Sequence, residues 1–158
     1  TRVSELRAEG KSLDETADWL ELNVRRLHQM GALEDLFFCK RMGRVSGAAA
    51  VMGTLVGIRP MADLDPETGL STPIGKVRGR KASLDALVAH MEKDAVDPAS
   101  QTVFISHGDC RADAEYVADL VREKFGTQDI RIHSIGPVIG SHSGPGTVAL
   151  FYLGRTRG

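Results

Sequence analysis

Apolar residues in the first thirty positions recur at intervals of three and four, the spacing of one face of a helix. The series begins after Ser12, and Glu15 three residues later gives the form of a capping box. We predict an amphipathic helix that starts there and ends near Gly31. The short apolar run 36–38 predicts a buried strand, and the glycine-punctuated segment 47–57 predicts a small-residue helix that can pack closely.

The rest of the chain alternates between the strand and helix patterns. Apolar runs on either side of the Asp-Pro-Glu-Thr-Gly turn at 65–69 predict two antiparallel strands, 58–64 and 72–77. The run 147–153 is apolar on both alternations, which is typical of a central strand covered on both sides. Further helices are predicted at 84–91 and 114–125, and further strands at 102–106 and 130–135. The predicted class is α+β (mixed α/β), one domain over residues 1–158 with a mixed sheet of about six strands packed with helices.

Composition narrows the range of partners. The 158 residues carry 20 Lys and Arg against 21 Asp and Glu, so a net charge of -1 provides no general field for nucleic acid or an anionic membrane. The longest apolar stretches fall short of the roughly 20 residues that a membrane span needs. Cys39 and Cys110 are too few for a disulfide framework, which favours a cytoplasmic location. The chain begins at Thr1 rather than Met, and we expect upstream sequence to have been removed.

The segment 135–146 has the highest density of candidate binding residues. It contains four glycines and two prolines, and His142 lies between Ser141 and Ser143. Glycine lets the backbone approach a ligand, and amide N–H groups, hydroxyls and an imidazole together suit an anionic head group. The alternative is a rigid turn between strands whose histidine binds a backbone carbonyl. The glycine density favours the anion site.

Two basic segments offer further candidates. Arg44 closes the run 40–44 just before the small-residue helix, where a guanidinium and a helix N-terminus would favour a carboxylate or phosphate. A solvated basic turn is an equal alternative. The run 76–81 places four cations in six residues, which indicates either a docking patch or solvated surface. Short charge runs are usually solvated surface.

A hydrolase interpretation rests on Ser106, His107 and Asp109. Adjacent strand residues point to opposite faces, so the serine and the histidine would not meet, and the aspartate is expected to cap the next helix instead. His133 is expected to be an exposed neighbour of Arg131 rather than a ligand, and the histidine spacing matches no metal site. The glycines match no nucleotide-binding motif either.

Three segments together resemble the DegV family of bacterial fatty-acid-binding proteins. They are Met42-Gly-Arg-Val-Ser, Lys76-Val-Arg-Gly-Arg-Lys and Ile135-Gly-Pro-Val-Ile-Gly-Ser-His-Ser-Gly-Pro-Gly, in the family's order. The resemblance covers nearly the whole chain but only the second half of a family member. It implies the C-terminal domain of a two-domain fold whose N-terminal α/β domain is absent here. Met42 replaces a glycine that is common in the family.

The resemblance implies a non-enzymatic carrier without a cofactor. One long-chain fatty acid would lie in a hydrophobic tunnel, its carboxylate near the inter-domain interface within a polar network that includes Arg44 and His142. Hydroxyl groups that contact the carboxylate directly would lie in the missing domain. Arg78 would face a partner fatty acid kinase. Candidate tunnel residues, which could equally belong to an ordinary core, are Ala50, Met52, Leu55, Ile58, Phe104 and Ile139.

Two functions of other classes stay open at this point. A small hydrolase would pair Ser106 or Ser143 with His107 or His142. A protein-docking module without a ligand would use the segment 78–81 as its interface.

Overall fold

A computed structural model of the protein describes residues 1–35, 38, 41, 57–65 and 71–157. Within these residues the chain forms five α-helices, one short 3-10 helix and six strands. In chain order they are α1 (Arg2–Ala8), α2 (Leu13–Asn23), the 3-10 helix (Val24–Arg26), β1 (Leu27–Ala32), β2 (Ile58–Leu64), β3 (Ser71–Arg78), α3 (Arg80–Asp94), β4 (Val103–His107), α4 (Arg111–Phe125), β5 (Ile130–Ser134), α5 (Pro137–Ser143) and β6 (Val148–Leu153).

The six strands form one mixed sheet in the order β3-β2-β1-β6-β4-β5. Only β4 and β5 run parallel, and the other neighbours are antiparallel. The prediction of a mixed six-stranded α+β fold is therefore confirmed, as is the hairpin of β2 and β3. The central position predicted for the run 147–153 is confirmed, because β6 lies in the interior of the sheet between β1 and β4. Among the described residues only every second side chain of β6 is buried, so cover on both sides stays a prediction.

One face of the sheet carries the hydrophobic core. Helix α3 packs against β1, β2, β3 and β6, and α4 packs against β4 and β5. Strand alternation turns one set of side chains towards these helices and leaves the other set partly exposed. Core residues from the sheet include Met30, Met61, Ile105, Leu150 and Tyr152, all at most 2% exposed.

The N-terminal helix is shorter than predicted. Its capping box is confirmed, since the Ser12 hydroxyl accepts from the Glu15 N–H at 3.2 Å and the Glu15 carboxylate accepts from the Ser12 N–H at 2.8 Å. Hydrogen bonds from Lys11 and Ser12 lower the pKa of Glu15 to about 2. The helix ends at Asn23, however, and β1 begins at Leu27. The apolar residues that fit one helical series belong to a helix and to the strand that follows it.

Three further predictions need correction or lie largely outside the described residues. The predicted loop 135–146 contains the seven-residue helix α5. Phe38, predicted to lie in a strand, is helical. The rest of the run 36–38 and nearly all of the segment 47–57 fall outside the described residues.

None of the helices in the described ranges is long and apolar enough to cross a membrane.

Candidate functional site at the glycine-rich end of the sheet

Several strand and helix ends that carry polar groups meet at one end of the sheet, which we call the glycine-rich end. The carboxyl ends of β1, β3, β4 and β5 lie there, together with the first turns of α3 and α4. The segment from β5 through α5 to β6 closes this end. Because both long helices point their N-termini towards it, the local backbone field favours a negative charge.

Helix α5 presents its side chains outwards. Pro137 occupies its first turn, where proline fits, and Gly144 follows its last residue with a φ of 81°. Ile139 is 61% exposed, and His142, three positions later, is also exposed. Residues three apart in a helix are neighbours, so the imidazole and this apolar side chain lie on the same side of α5. Their arrangement suits the polar head and apolar tail of an amphiphile.

Three glycines near the end of α5 lie where an added side chain would clash with neighbouring atoms of the chain: Gly108, Gly144 and Gly146. The Gly146 N–H donates to the Gly108 carbonyl at 2.7 Å, and the Gly108 N–H donates to the Thr147 carbonyl at 2.8 Å. A Cβ on Gly108 would lie 2.7 Å from the Gly144 carbonyl oxygen, and one on Gly144 would lie 2.7 Å from the Phe38 ring. These glycines are explained by packing within the chain. Their number alone is therefore no evidence for a ligand, and the case for one rests on α5.

A chain of alternating charges lies behind this packing. Glu34, just after β1, contacts an Arg59 nitrogen at 2.5 Å and an Arg80 nitrogen at 3.6 Å. Arg80 also donates twice to the Asp113 carboxylate, at 2.6 and 3.0 Å. All four side chains are at most 35% exposed. Of these four residues only Arg80 belongs to a segment that the sequence marks as a candidate, the basic run 76–81. The other three come from distant segments.

The basic run 76–81 therefore divides into residues with different surroundings. Arg80 turns inwards to its ion pairs, whereas Arg78 is exposed at the end of β3. Lys81 is exposed and lies 2.5 Å from the Tyr116 hydroxyl, which donates to Asp85. Arg78 is thus accessible to a partner, and Arg80 is a structural residue at this end of the sheet.

The candidate tunnel residues are only partly described. Ile58 and Phe104 are half-buried, and the Arg131 guanidinium lies 5.7 Å from the centroid of the Phe104 ring. Phe104 lies on the sheet face opposite α3 and α4, since its strand neighbours Val103 and Ile105 are fully buried beneath those helices. Arg44 and three proposed wall residues lie outside the described residues: Ala50, Met52 and Leu55.

The structure separates Ser106 from His107 as predicted. His107 is buried in the core face, and its Nδ1 accepts from the Cys110 N–H at 3.3 Å, whereas Ser106 faces the other side. The prediction that Asp109 caps the next helix is wrong. Asp109 has a φ of 53°, and the residue at the cap is Cys110. Aspartate is one of the non-glycine residues that more often adopt positive φ, and the polypeptide turns sharply at Asp109, two residues before the helix begins at Arg111.

The remaining histidine pairings give no catalytic arrangement in the described part of the chain. His142 and Ser143 are adjacent in α5, where neighbouring side chains do not face each other. The Ser143 hydroxyl is buried and has no hydrogen-bond partner among the described residues. His133 is exposed, as predicted. The described residues contain no group of His, Cys, Asp and Glu that could hold a metal ion.

A second polar cluster lies at the opposite end of the sheet, which we call the tail end. His28 stacks on Tyr152 with ring centroids 4.9 Å apart, and its Nε2 lies 3.0 Å from the Arg155 carbonyl. Arg157 pairs with Asp63 at 3.0 Å. Burial raises the pKa of the Tyr152 hydroxyl above its ordinary value. A cavity of about 200 Å³ lies beside these groups and is lined by His28, Asp63, His90, Asp94, Arg155 and Arg157 among others.

Known proteins of one family are similar to this chain over nearly its whole length. A family model described as "Uncharacterised protein, DegV family" matches residues 1–155. A DegV domain-containing protein of Clostridium perfringens is 43% identical over 155 residues, which are 98% of this chain and 53% of the relative. The chain therefore spans about half the length of the curated relatives that it matches.

Solved structures share the fold. A DegV family protein from Eubacterium eligens loaded with heptadecanoic acid has a TM-score of 0.83 at 23% identity, covering 96% of this chain and 54% of its own. The Streptococcus pneumoniae Fatty Acid Kinase (Fak) B3 protein loaded with linoleic acid has a TM-score of 0.82 at 20% identity, with coverages of 96% and 53%. A Thermus thermophilus DegV family protein described by its fatty acid binding has a TM-score of 0.74 at 28% identity, with coverages of 96% and 54%.

Proposed function

This chain belongs to the DegV family, and we propose that it forms the C-terminal, lipid-facing domain of a fatty acid carrier. In the full-length protein an N-terminal α/β domain would complete the site, and the chain's coverage of only about half of its relatives leaves room for one. The ligand is one long-chain fatty acid, with its tail in a hydrophobic tunnel and its carboxylate near the interface between the domains.

The observation that carries this proposal is the outward face of α5. Ile139 and His142 are exposed side by side, at the end of the sheet towards which α3 and α4 direct their N-termini. An imidazole in this field suits a carboxylate, and the neighbouring apolar side chain suits the first methylenes of the tail. The fatty acids named for the Eubacterium and Streptococcus structures support the same ligand class.

The two parts of such a ligand contribute differently to binding. Burial at about 0.8 kcal/mol per methylene gives a gross gain of roughly 12 kcal/mol for a sixteen-carbon tail. A buried carboxylate costs several kcal/mol unless it is paired and hydrogen-bonded. The tail therefore supplies the affinity, and we assign Arg44 and His142 to the network that offsets the cost of the head group. Ala50, Met52, Leu55, Ile58, Phe104 and Ile139 remain the proposed tunnel wall.

The bound lipid can be identified directly. We expect denaturing extraction of the purified full-length protein, followed by mass spectrometry, to release a fatty acid of 14 to 18 carbons in near-stoichiometric amount. The matched control is the same extraction of an unrelated protein purified from the same cells. Protein that is consistently empty, or that releases only phospholipid, would contradict the carrier.

The proposed kinase contact can be tested apart from lipid binding. Arg78 is exposed at the rim of the glycine-rich end, so Arg78→Ala is expected to slow phosphorylation of the bound fatty acid by a fatty acid kinase. The affinity for the fatty acid should stay the same. Arg155→Ala, which removes an exposed cation at the tail end, is the control and should leave the rate unchanged. Equal rates for both variants would rule out a kinase-facing role for Arg78.

We further propose that the carrier has no catalytic groups of its own and works in the cytoplasm. The separation of Ser106 from His107 and the engagement of the His107 ring with the Cys110 N–H support a non-enzymatic role over a hydrolase. Hydrolysis of p-nitrophenyl esters that disappears on Ser106→Ala or Ser143→Ala would favour the hydrolase instead.

A further inference from the structure

We propose that Glu34 is a positioning residue that fixes α5, and with it His142, for the ligand head group. This inference rests on the proposed function and adds a residue to it. No segment singled out in the sequence contains Glu34, and its importance follows from three contacts that meet at its side chain.

The first contact is with the turn that ends α5. A Cβ placed on Gly146 would lie 2.5 Å from Glu34 Cβ and 2.8 Å from Glu34 Cγ, so the glutamate side chain lies directly against this turn. Gly146 also has a φ of 75° and donates to the Gly108 carbonyl. The turn is thus held between the glutamate on one side and the end of β4 on the other.

The other two contacts hold the glutamate itself. Its carboxylate lies between Arg59 of β2 and Arg80 of α3, at 2.5 and 3.6 Å. Arg80 is fixed in turn by Asp113 of α4 and lies 3.7 Å from Cys110 Sγ. Two arginines from the β2–β3 side of the sheet therefore contact the Glu34 carboxylate directly, and α4 is linked to it through Arg80. These ion pairs hold the glutamate side chain against the turn.

The same thiol connects the charge chain back to the turn. Cys110 Sγ donates to the Thr147 carbonyl at 3.4 Å, and Thr147 Oγ1 donates to the carbonyl of Ser143, the last residue of α5. Glu34 therefore packs directly against the turn that follows α5, and Arg80 is linked to the end of α5 through the Cys110 thiol. Two routes from one ion-pair chain to one short helix favour a positioning role.

Two physical effects of removing the Glu34 charge have opposite signs. A nearby carboxylate repels a ligand carboxylate, so neutralisation alone would strengthen binding of a fatty acid. Loss of the ion pairs would release the turn and move His142 away from the head group, which weakens binding of the acid. A neutral fatty alcohol of the same length feels neither effect strongly. The ratio of acid to alcohol affinity therefore distinguishes a positioning role of Glu34 from a purely electrostatic effect of its charge.

The test uses the full-length protein with hexadecanoic acid and hexadecan-1-ol as probes. We expect Glu34→Gln to lower the acid-to-alcohol affinity ratio by about tenfold, the size of one lost hydrogen bond to a charged group. Glu34→Asp keeps the charge but withdraws the carboxylate by one methylene, and it should lower the ratio in the same direction. In a His142→Ala background neither change should have a further effect.

Asp63→Asn is the control, because it removes a carboxylate from a more enclosed ion pair at the tail end. It should leave the ratio unchanged. A ratio that rises or stays constant in Glu34→Gln, or that falls equally in Asp63→Asn, overturns the positioning role. If His142→Ala itself leaves the ratio unchanged, the head-group assignment of the proposed function fails. If His142→Ala lowers the ratio and both Glu34 variants do not, only the positioning role fails.

Discussion

The two ends of the sheet contain the same kinds of side chain in different states. At the tail end, His28 is buried, stacked on Tyr152 and bonded to a backbone carbonyl. At the glycine-rich end, His142 is exposed on a short helix beside an equally exposed Ile139. Both ends also contain an enclosed arginine–carboxylate pair. The residue types are alike, and the difference lies in whether the histidine is already engaged within the chain.

This difference shows which polar clusters are available for binding. The tail end uses its histidine and its Arg157–Asp63 pair to hold the last described residues against β1 and β2. The glycine-rich end uses its ion pairs to support a turn and leaves the imidazole of α5 free of the core. We therefore expect changes at the tail end to affect stability, and changes around α5 to affect ligand selectivity.

The largest stability effect is expected at the tail-end ion pair. Arg157 and Asp63 are only 12% and 16% exposed, so Asp63→Asn leaves an enclosed guanidinium without its countercharge. We expect the free energy of unfolding, measured by urea denaturation, to fall by about 3 kcal/mol. Glu115→Gln breaks the exposed Arg111–Glu115 pair and should cost about 0.5 kcal/mol or less. Similar losses of unfolding free energy in the two variants would mean that the Arg157–Asp63 pair is exposed to solvent.

An intermediate effect is expected for glycines that pack against backbone. A Cβ on Gly108 would meet the Gly144 carbonyl oxygen at 2.7 Å, and one on Gly154 would meet the Asp94 carbonyl oxygen at 2.6 Å. Each Gly→Ala change should lower the free energy of unfolding, measured by urea denaturation, by about 1–3 kcal/mol. Gly75→Ala, with open space around the added methyl group, is the control. Only the Gly108 change should also reduce the ratio of fatty acid affinity to fatty alcohol affinity.

The smallest effect is expected at Tyr152, whose buried hydroxyl finds no hydrogen-bond partner in the part of the chain that the structure describes. Tyr152→Phe removes an unsatisfied polar group, so we expect a change between zero and about 1 kcal/mol of added stability. Burial raises the pKa of this hydroxyl in the folded protein. Above about pH 10 the unfolded chain therefore loses this proton first, and stability falls as the pH rises.

The phenylalanine variant lacks this titration. It should lose less stability than the unmodified protein when urea unfolding is repeated between pH 9 and pH 11. Parallel losses in the two proteins would show that the Tyr152 hydroxyl is not buried as described.

Features set by neighbouring residues could be predicted from the sequence, and features set by distant contacts could not. The capping box of Ser12 and Glu15 needs only a three-residue spacing, and the hairpin of β2 and β3 needs only its turn. The start of β1 at Leu27 depends on pairing with β6 at the other end of the chain. A periodicity search over one window cannot detect that pairing.

The candidate site shows the same limit. His142 stood out because its neighbours are glycines and prolines, which mark an unusual backbone within a few residues. Glu34, Arg59 and Asp113 have ordinary sequence surroundings, and the Arg80–Asp113 contact spans 33 positions. Their meeting depends on β1 ending, and β2, α3 and α4 beginning, at the same end of the sheet. Such a cluster becomes visible only once the strand order is known.

The central claim is that the fatty acid carboxylate lies beside α5, and carbon-13 NMR of bound [1-13C]hexadecanoic acid tests it directly. In the full-length protein, the carboxyl resonance should shift on His142→Ala and stay in place on His90→Ala, which alters the tail-end cavity. A resonance that moves only with His90, or with neither histidine, would contradict the assignment of the head group to the glycine-rich end.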